Sequence, residues 1–216
     1  MNFKEHKGEA YGVGWNHISP NLILSSGQDS TIKLYDISKG VLTANLIGHK
    51  SLVYNVTWHP TLGNLFASAS SDQTLKIWDL KMGKAIKTVR ASNSDILCCD
   101  FNKYENIIAT SAANGEINIF DLRGTGDIPI IKLQGHKMST KKCMFSPHNA
   151  SILASVSYDM NVIVWDIKIS RPLNIFKHHR EFIMGLDFSV FENNKIATAS
   201  WDRTMWIFKW DENLVY

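Results

Sequence analysis

The sequence predicts an all-β fold, a single domain over residues 1–216 built of five consecutive four-stranded sheets that form the blades of a propeller. Two features carry this prediction. Residues 48–79, GHKSLVYNVTWHPTLGNLFASASSDQTLKIWD, hold three short runs of strand-forming residues, at 53–58, 65–70 and 74–78. The same frame then recurs through the chain at a fixed period.

Within the stretch, turn chemistry separates the runs: His59-Pro60 with Gly63-Asn64, then Ser71-Asp72. A fourth apolar run, 85–89, follows the turn at Lys81-Met82-Gly83. Gly48-His49 opens the unit and Trp78-Asp79 closes its third strand, the marks of a WD-repeat blade. The anchor position recurs at His6, His49, Ser92, His136 and His179, spaced 43, 43, 44 and 43 residues. A turn residue recurs at Asp29, Asp72, Asn114, Asp159 and Asp202, and an aromatic follows six residues later at Tyr35, Trp78, Phe120, Trp165 and Phe208. A second aromatic sits nine residues after each anchor: Trp15, Trp58, Phe101, Phe145 and Phe188. The repeats are read as approximately 5–47, 48–90, 91–134, 135–177 and 178–216.

The spacing suggests a buried hydrogen-bond chain. In the second copy Asp72 is expected to hold the His49 imidazole, the imidazole to bond the Ser70 hydroxyl, and that hydroxyl to accept from the Trp78 indole. Such a chain is stable only when complete, because each unpaired buried group costs about 1–3 kcal/mol. The fourth copy repeats the set with His136, Ser157, Asp159 and Trp165. The fifth keeps His179, Ser200 and Asp202 but places Phe208 where Trp is expected. The first has Gly27 and Tyr35 at the Ser and Trp positions. The third, with Ser92, Ala112, Asn114 and Phe120, is expected to rest on apolar packing, its hairpin turned by Asn114-Gly115.

Composition fits a globular chain, with 44% apolar and 20% charged residues. No run of 18 apolar residues indicates a membrane span, and the first residues lack the apolar core of a secretion signal. Cys98, Cys99 and Cys143 show neither disulfide nor zinc spacing, which fits a reducing compartment such as the cytosol. A net charge of +3 is too small to argue for nucleic acid.

No nucleophile motif, phosphate loop or paired carboxylates stand in a supporting context, so an enzyme is not expected, nor a cofactor. His178-His179 resembles a metal pair, but His179 falls on the repeat anchor, and no metal site is expected. Binding is therefore sought on the rim formed by the connections before each first strand and between the second and third. Glu9, Asp95 and Glu181 lie just after their anchors on this rim and suggest a positively charged ligand; singly, each also reads as ordinary solvated charge. Phe182 stands beside Glu181. Tyr158 and Trp201 precede the turn acids, either as wet contact residues or as packing against a neighbouring blade.

Longer segments resemble one family. Residues 177–189, KHHREFIMGLDFS, look like the last repeat of the peroxin seven family, receptors for the type-two peroxisomal targeting signal. Residues 145–159, FSPHNASILASVSYD, and 95–124, DILCCDFNKYENIIATSAANGEINIFDLRG, are similar to its preceding repeats, and the resemblance reaches nearly the whole chain. It implies a cytosolic cargo receptor that shuttles to the peroxisome. Its partners would be matrix proteins bearing the signal and an import co-receptor, with no nucleic acid and no membrane span of its own. The signal places Arg or Lys and a Leu-like residue on one face of a short helix, which docks by laying that face in a groove. By resemblance, Glu9, Asp95 and Glu181 meet the basic residue; Phe182, Tyr158 and Trp201 supply apolar contacts. The family has seven repeats, so an incomplete ring lacking the first two is expected, with residues 3–7 or 214–216 as candidates for the fifth blade's outer strand. The alternative is a generic WD-repeat scaffold subunit of a ubiquitin-ligase, chromatin or ribosome-assembly complex.

Overall fold

The computed structural model describes residues 1–124 and 126–210. Every regular element among them is a β-strand, and the strands form five antiparallel sheets of three or four. The chain divides into two compact units, Met1–Phe101 and Asn102–Tyr216.

The first unit holds two complete meanders. One comprises β1 (Ala10–Trp15), β2 (Leu22–Gly27), β3 (Thr31–Asp36) and β4 (Val41–Ile47) in chain order. The other comprises β5 (Val53–Trp58), β6 (Leu65–Ser70), β7 (Thr74–Asp79) and β8 (Lys84–Arg90). β9 (Ile96–Phe101) packs on β5 and β6. Strand composition follows position. β6 is buried over nearly its whole length and reads as small and apolar residues, whereas β8 alternates exposed positions with half-buried or buried ones, as a strand with one wet face should. Leu24, Leu34, Leu46, Val56, Phe66 and Trp78 form the core between the two meanders. The Phe66 ring stacks on Trp78 at 5.9 Å and meets Trp58 edge-on at 5.6 Å.

The second unit contains β10 (Ile107–Ala112), β11 (Ile117–Asp121) and β12 (Ile131–Leu133), paired in that order. β13 (Thr140–Phe145), β14 (Ile152–Ser157), β15 (Val162–Asp166) and β16 (Arg171–Phe176) form a four-stranded meander. β17 (Ile183–Phe188), β18 (Lys195–Ser200) and β19 (Met205–Lys209) form the last sheet, three-stranded among the described residues and not four-stranded as expected. Residues 3–7 are used elsewhere: Phe3 packs on Tyr35 at 4.4 Å and His6 bonds Asp29, so they belong with the first meander. Residues 214–216 lie outside the described residues. The third copy is apolar in this unit, with Ile107, Ile117, Ile119 and Leu133 packed against Leu153, Ile163 and Trp165.

Two irregularities recur with the repeat. The first strand skips one residue in its pairing at Tyr11, Tyr54, Lys141 and Met184, a β-bulge that bends the strand end and re-aims the extra side chain. The residue after each recurring turn residue adopts positive φ: Ser30, Gln73, Gly115, Met160 and Arg203. Only the third copy supplies glycine there.

The buried polar chain exists, but with a different hydroxyl. His49 Nδ1 bonds Asp72 at 2.8 Å, and its Nε2 faces Ser68 Oγ at 2.6 Å, not Ser70. The Trp78 indole donates to the same Ser68 hydroxyl at 2.8 Å. In the fourth copy Ser155 replaces the expected Ser157, bonding His136 at 2.7 Å and Trp165 at 2.8 Å. In the fifth, Thr198 replaces Ser200, 2.9 Å from His179. The reason is the two-residue period of a strand: both hydroxyls face the same way, but the pair nearer the turn is engaged there. Ser70, Ser157 and Ser200 accept from the amides of Asp72, Asp159 and Asp202 and donate to the carbonyls of Ser51, Met138 and Glu181. The first copy is also fuller than expected, because Ser25, not Gly27, meets His6 at 2.7 Å.

The glycine of each Gly-His pair has a packing reason. A Cβ on Gly48 would lie 2.9 Å from Trp78 Cη2, and one on Gly135 would lie 2.7 Å from Trp165 Cη2. The three copies without Trp carry Glu5, Ala91 and His178 at this position instead. Thus His178 is placed by packing, stacked on Trp206 at 4.8 Å and edge-on to Phe208 at 5.1 Å.

Candidate ligand-binding rim

In four of the copies the loop before the first strand is pinned to the turn acid of the same sheet. In the first copy Asp29 bonds the His6 ring and accepts from the Lys7 amide at 2.9 Å, and Gln28 N donates to Glu9 O at 2.8 Å. Burial pushes the Asp29 pKa up, but the bonds from Lys7 N, Thr31 and His6 overcome this and hold it well below the usual carboxylate range. Asp72, Asp159 and Asp202 show the same balance, with the Asp159 pKa lowered to about 2. These acids are fixed anions of the framework. They clamp the rim loops and do not serve as free ligand contacts.

The rim residues of the first unit form one row. The Tyr11 hydroxyl donates to Glu9 Oε2 at 2.8 Å. The Tyr11 and Tyr54 rings lie 5.4 Å apart. The Tyr54 hydroxyl donates to Asp95 Oδ2 at 3.4 Å. Glu9 and Asp95 are therefore the two ends of a chain of acid, tyrosine, tyrosine and acid. The hydrogen bond to Glu9, aided by partial burial and the Glu9 charge, raises the Tyr11 pKa, so this phenol stays protonated and keeps donating.

Sequence reasoning missed Tyr11 and Tyr54. The signal was present: each stands five residues after its anchor, at the bulge. The bulge turns these side chains out of the alternating register and along the rim. Tyrosines oriented this way place acceptor carboxylates and aromatic faces side by side, which is the chemistry that receives a guanidinium or ammonium group.

In the second unit three expected residues also come together. The Tyr158 and Phe182 rings stack at 4.6 Å, and Phe182 meets Trp201 at 5.4 Å. Trp201 N donates to Phe182 O at 3.0 Å, which ties the two loops. Trp201 remains 61% exposed, whereas Tyr158 and Phe182 are half-buried, Tyr158 packing against the loop of the neighbouring sheet. Glu181 precedes Phe182 and is exposed, its carbonyl fixed by the Ser200 hydroxyl at 3.0 Å.

Comparison with known proteins adds a family. The model described as nucleolar protein 10-like, N-terminal domain, matches residues 50–213, and the WD domain, G-beta repeat model matches residues 1–36. The chain is 41% identical over 81 residues to the peroxisomal targeting signal 2 receptor of Mus musculus, covering 37% of this chain and 26% of that protein. It is 45% identical over 67 residues to the receptor of the same name from Dictyostelium discoideum, covering 30% of this chain and 21% of that protein. With the Schizosaccharomyces pombe receptor it shares 27% identity over 210 residues, 95% of this chain and 67% of the relative. The matches thus span about a quarter of the mouse relative's length and about a fifth of the Dictyostelium one's. These relatives are named as receptors and not as enzymes. The chain belongs to the β-propeller family of the nucleolar protein 10-like N-terminal domain, and it is a WD-repeat protein similar to the peroxisomal targeting signal 2 receptors.

Proposed function

We propose that this protein is a peroxisomal import receptor that binds the N-terminal type-two targeting signal of matrix proteins. The observation that carries this reading is the row of Glu9, Tyr11, Tyr54 and Asp95. It offers two carboxylates and two aromatic faces to the basic residues of a short amphipathic helix. Glu181 is assigned to the same basic chemistry. Phe182, Tyr158 and Trp201 are assigned to the apolar residues of the signal. The names of the relatives support the same reading and point to work connected with the peroxisome. Delivery with an import co-receptor, and a cytosolic receptor that shuttles to the organelle, complete the proposal.

Fluorescence anisotropy with a labelled nine-residue type-two signal peptide tests it. The peptide should bind, and replacing its basic residues by glutamine should weaken binding at least tenfold, about 1.4 kcal/mol. Equal binding of both peptides contradicts the reading. Recovery of a ligase, chromatin or ribosome-assembly complex from cytosol, without matrix proteins, would favour a scaffold role instead.

A further inference from the structure

The second unit has another built surface, at the sheet ends opposite the turn acids. β13 and β17 run from the loops that hold His136 and His179 toward this end. There the loops are rigidified by one recurring device. Asn102 Oδ1 accepts from the amides of Tyr104 and Glu105, at 2.9 and 3.1 Å. Ser146 Oγ accepts from His148 N at 3.2 Å, and Ser189 Oγ accepts from the amides of Phe191 and Glu192. Each loop is closed by a side chain one residue past the strand, and each projects the residue two positions further: Tyr104, His148 and Phe191.

Between these loops lies a cavity of about 430 Å³ lined by Tyr104, His148, Asn149, Ala150, Asn193 and Asn194. Its walls are tied together. Asn102 Nδ2 donates to Ala150 O at 2.8 Å, the Tyr104 hydroxyl to Pro147 O at 2.5 Å, and His148 Nε2 to Ser189 O at 2.8 Å. With its Nε2 proton committed, the His148 ring presents Nδ1 as an acceptor. Asn149 spends its oxygen on Ser151 N at 2.9 Å and keeps its NH₂. Asn193 and Asn194 bring two more carboxamides. Among the described residues, no carboxylate, ammonium or guanidinium lines the cavity. The neighbouring Glu192 is neutralised by Lys195 at 2.6 Å and Lys209 at 2.8 Å.

A set of carboxamides and one imidazole acceptor, without formal charge, matches a group that carries both a donor and an acceptor and is itself neutral. The peptide amide is that group, and a carboxamide pairs with it through both functions. The volume lies in the range of pockets that enclose a small ligand or a few residues of chain. Phe191, 93% exposed on the same loop as Asn193, adds an apolar flank. We propose that this cavity is a second docking site, which takes an uncharged, extended peptide segment of a partner protein through its backbone amides.

The test selects nine-residue peptides from a random phage library on the full chain and measures the synthetic winners by anisotropy. Selected peptides should lack charged residues over their central positions. Asn193→Asp, at an exposed position, should weaken them at least tenfold, as should N-methylation of their central amides. Trp201→Ala should leave them unchanged, and Asn193→Asp should leave the type-two signal peptide unchanged. Failure to select peptides, full binding to the Asn193→Asp chain, insensitivity to N-methylation, or loss of binding in Trp201→Ala would each overturn the proposal. The signal-peptide arm reports separately on the receptor reading.

Discussion

The rings of Tyr11 and Tyr54 stand 5.4 Å apart, each at the bulge of its own strand, and each hydroxyl donates to a different rim carboxylate. The pair turns two isolated acids into one oriented surface. Without the bulges, strict alternation would send these side chains to a sheet face.

Tyr54→Phe keeps the ring and removes the bond to Asp95. A net hydrogen bond is worth about 1 kcal/mol, so signal-peptide affinity should fall by up to about fivefold, while the fold loses no more than about 1 kcal/mol in urea. An unchanged affinity by anisotropy would show that the orientation of Asp95 does not matter for binding.

The choice of hydroxyl gives a paired stability prediction. Ser68→Ala strips partners from both the His49 ring and the Trp78 indole in a buried site and should cost about 2–4 kcal/mol. Ser70→Ala frees only a turn amide and a carbonyl near water and should cost about 1 kcal/mol. Urea unfolding of the two variants decides the order. A larger loss at Ser70 would restore the assignment made from the sequence.

Acid should destabilise the fold through the turn acids. Their folded pKa values are lowered, so the stability they contribute is present above the unfolded value, about 3.9, and is lost as pH falls through the folded one. Thermal midpoints should therefore drop steeply from about pH 4 down to about 2, the value at Asp159. Asp159→Asn should be less stable at pH 7 and show a shallower dependence over that window. Parallel curves for the two proteins would count against this account.

Much of the architecture was legible because it repeats. Position, residue type and period agree at His49, Asp72 and Trp78 and again at His136, Asp159 and Trp165, and the structure places hydrogen bonds and core packing at those positions. The errors share a cause. Ser68 and Ser70 lie on the same face of one strand, and only the three-dimensional register with Trp78 separates them. Tyr11 and Tyr54 were missed although both stand five residues after their anchors, because a bulge shifts register without a sequence mark as plain as glycine or proline. The rim acids Glu9 and Asp95 were found by offset from the anchor alone, but the bridge between them required side-chain positions.

The most direct measurement is a charge swap across the proposed contact. The double variant Glu9→Lys with Asp95→Lys should lose the native signal peptide at least a hundredfold at low salt, and the loss should shrink as salt rises. A peptide with its basic residues changed to glutamate should regain affinity for that variant and not for the original chain. Full binding of the native peptide to the double variant, or no rescue by the acidic peptide, would contradict the acid–tyrosine row as the reader of the signal.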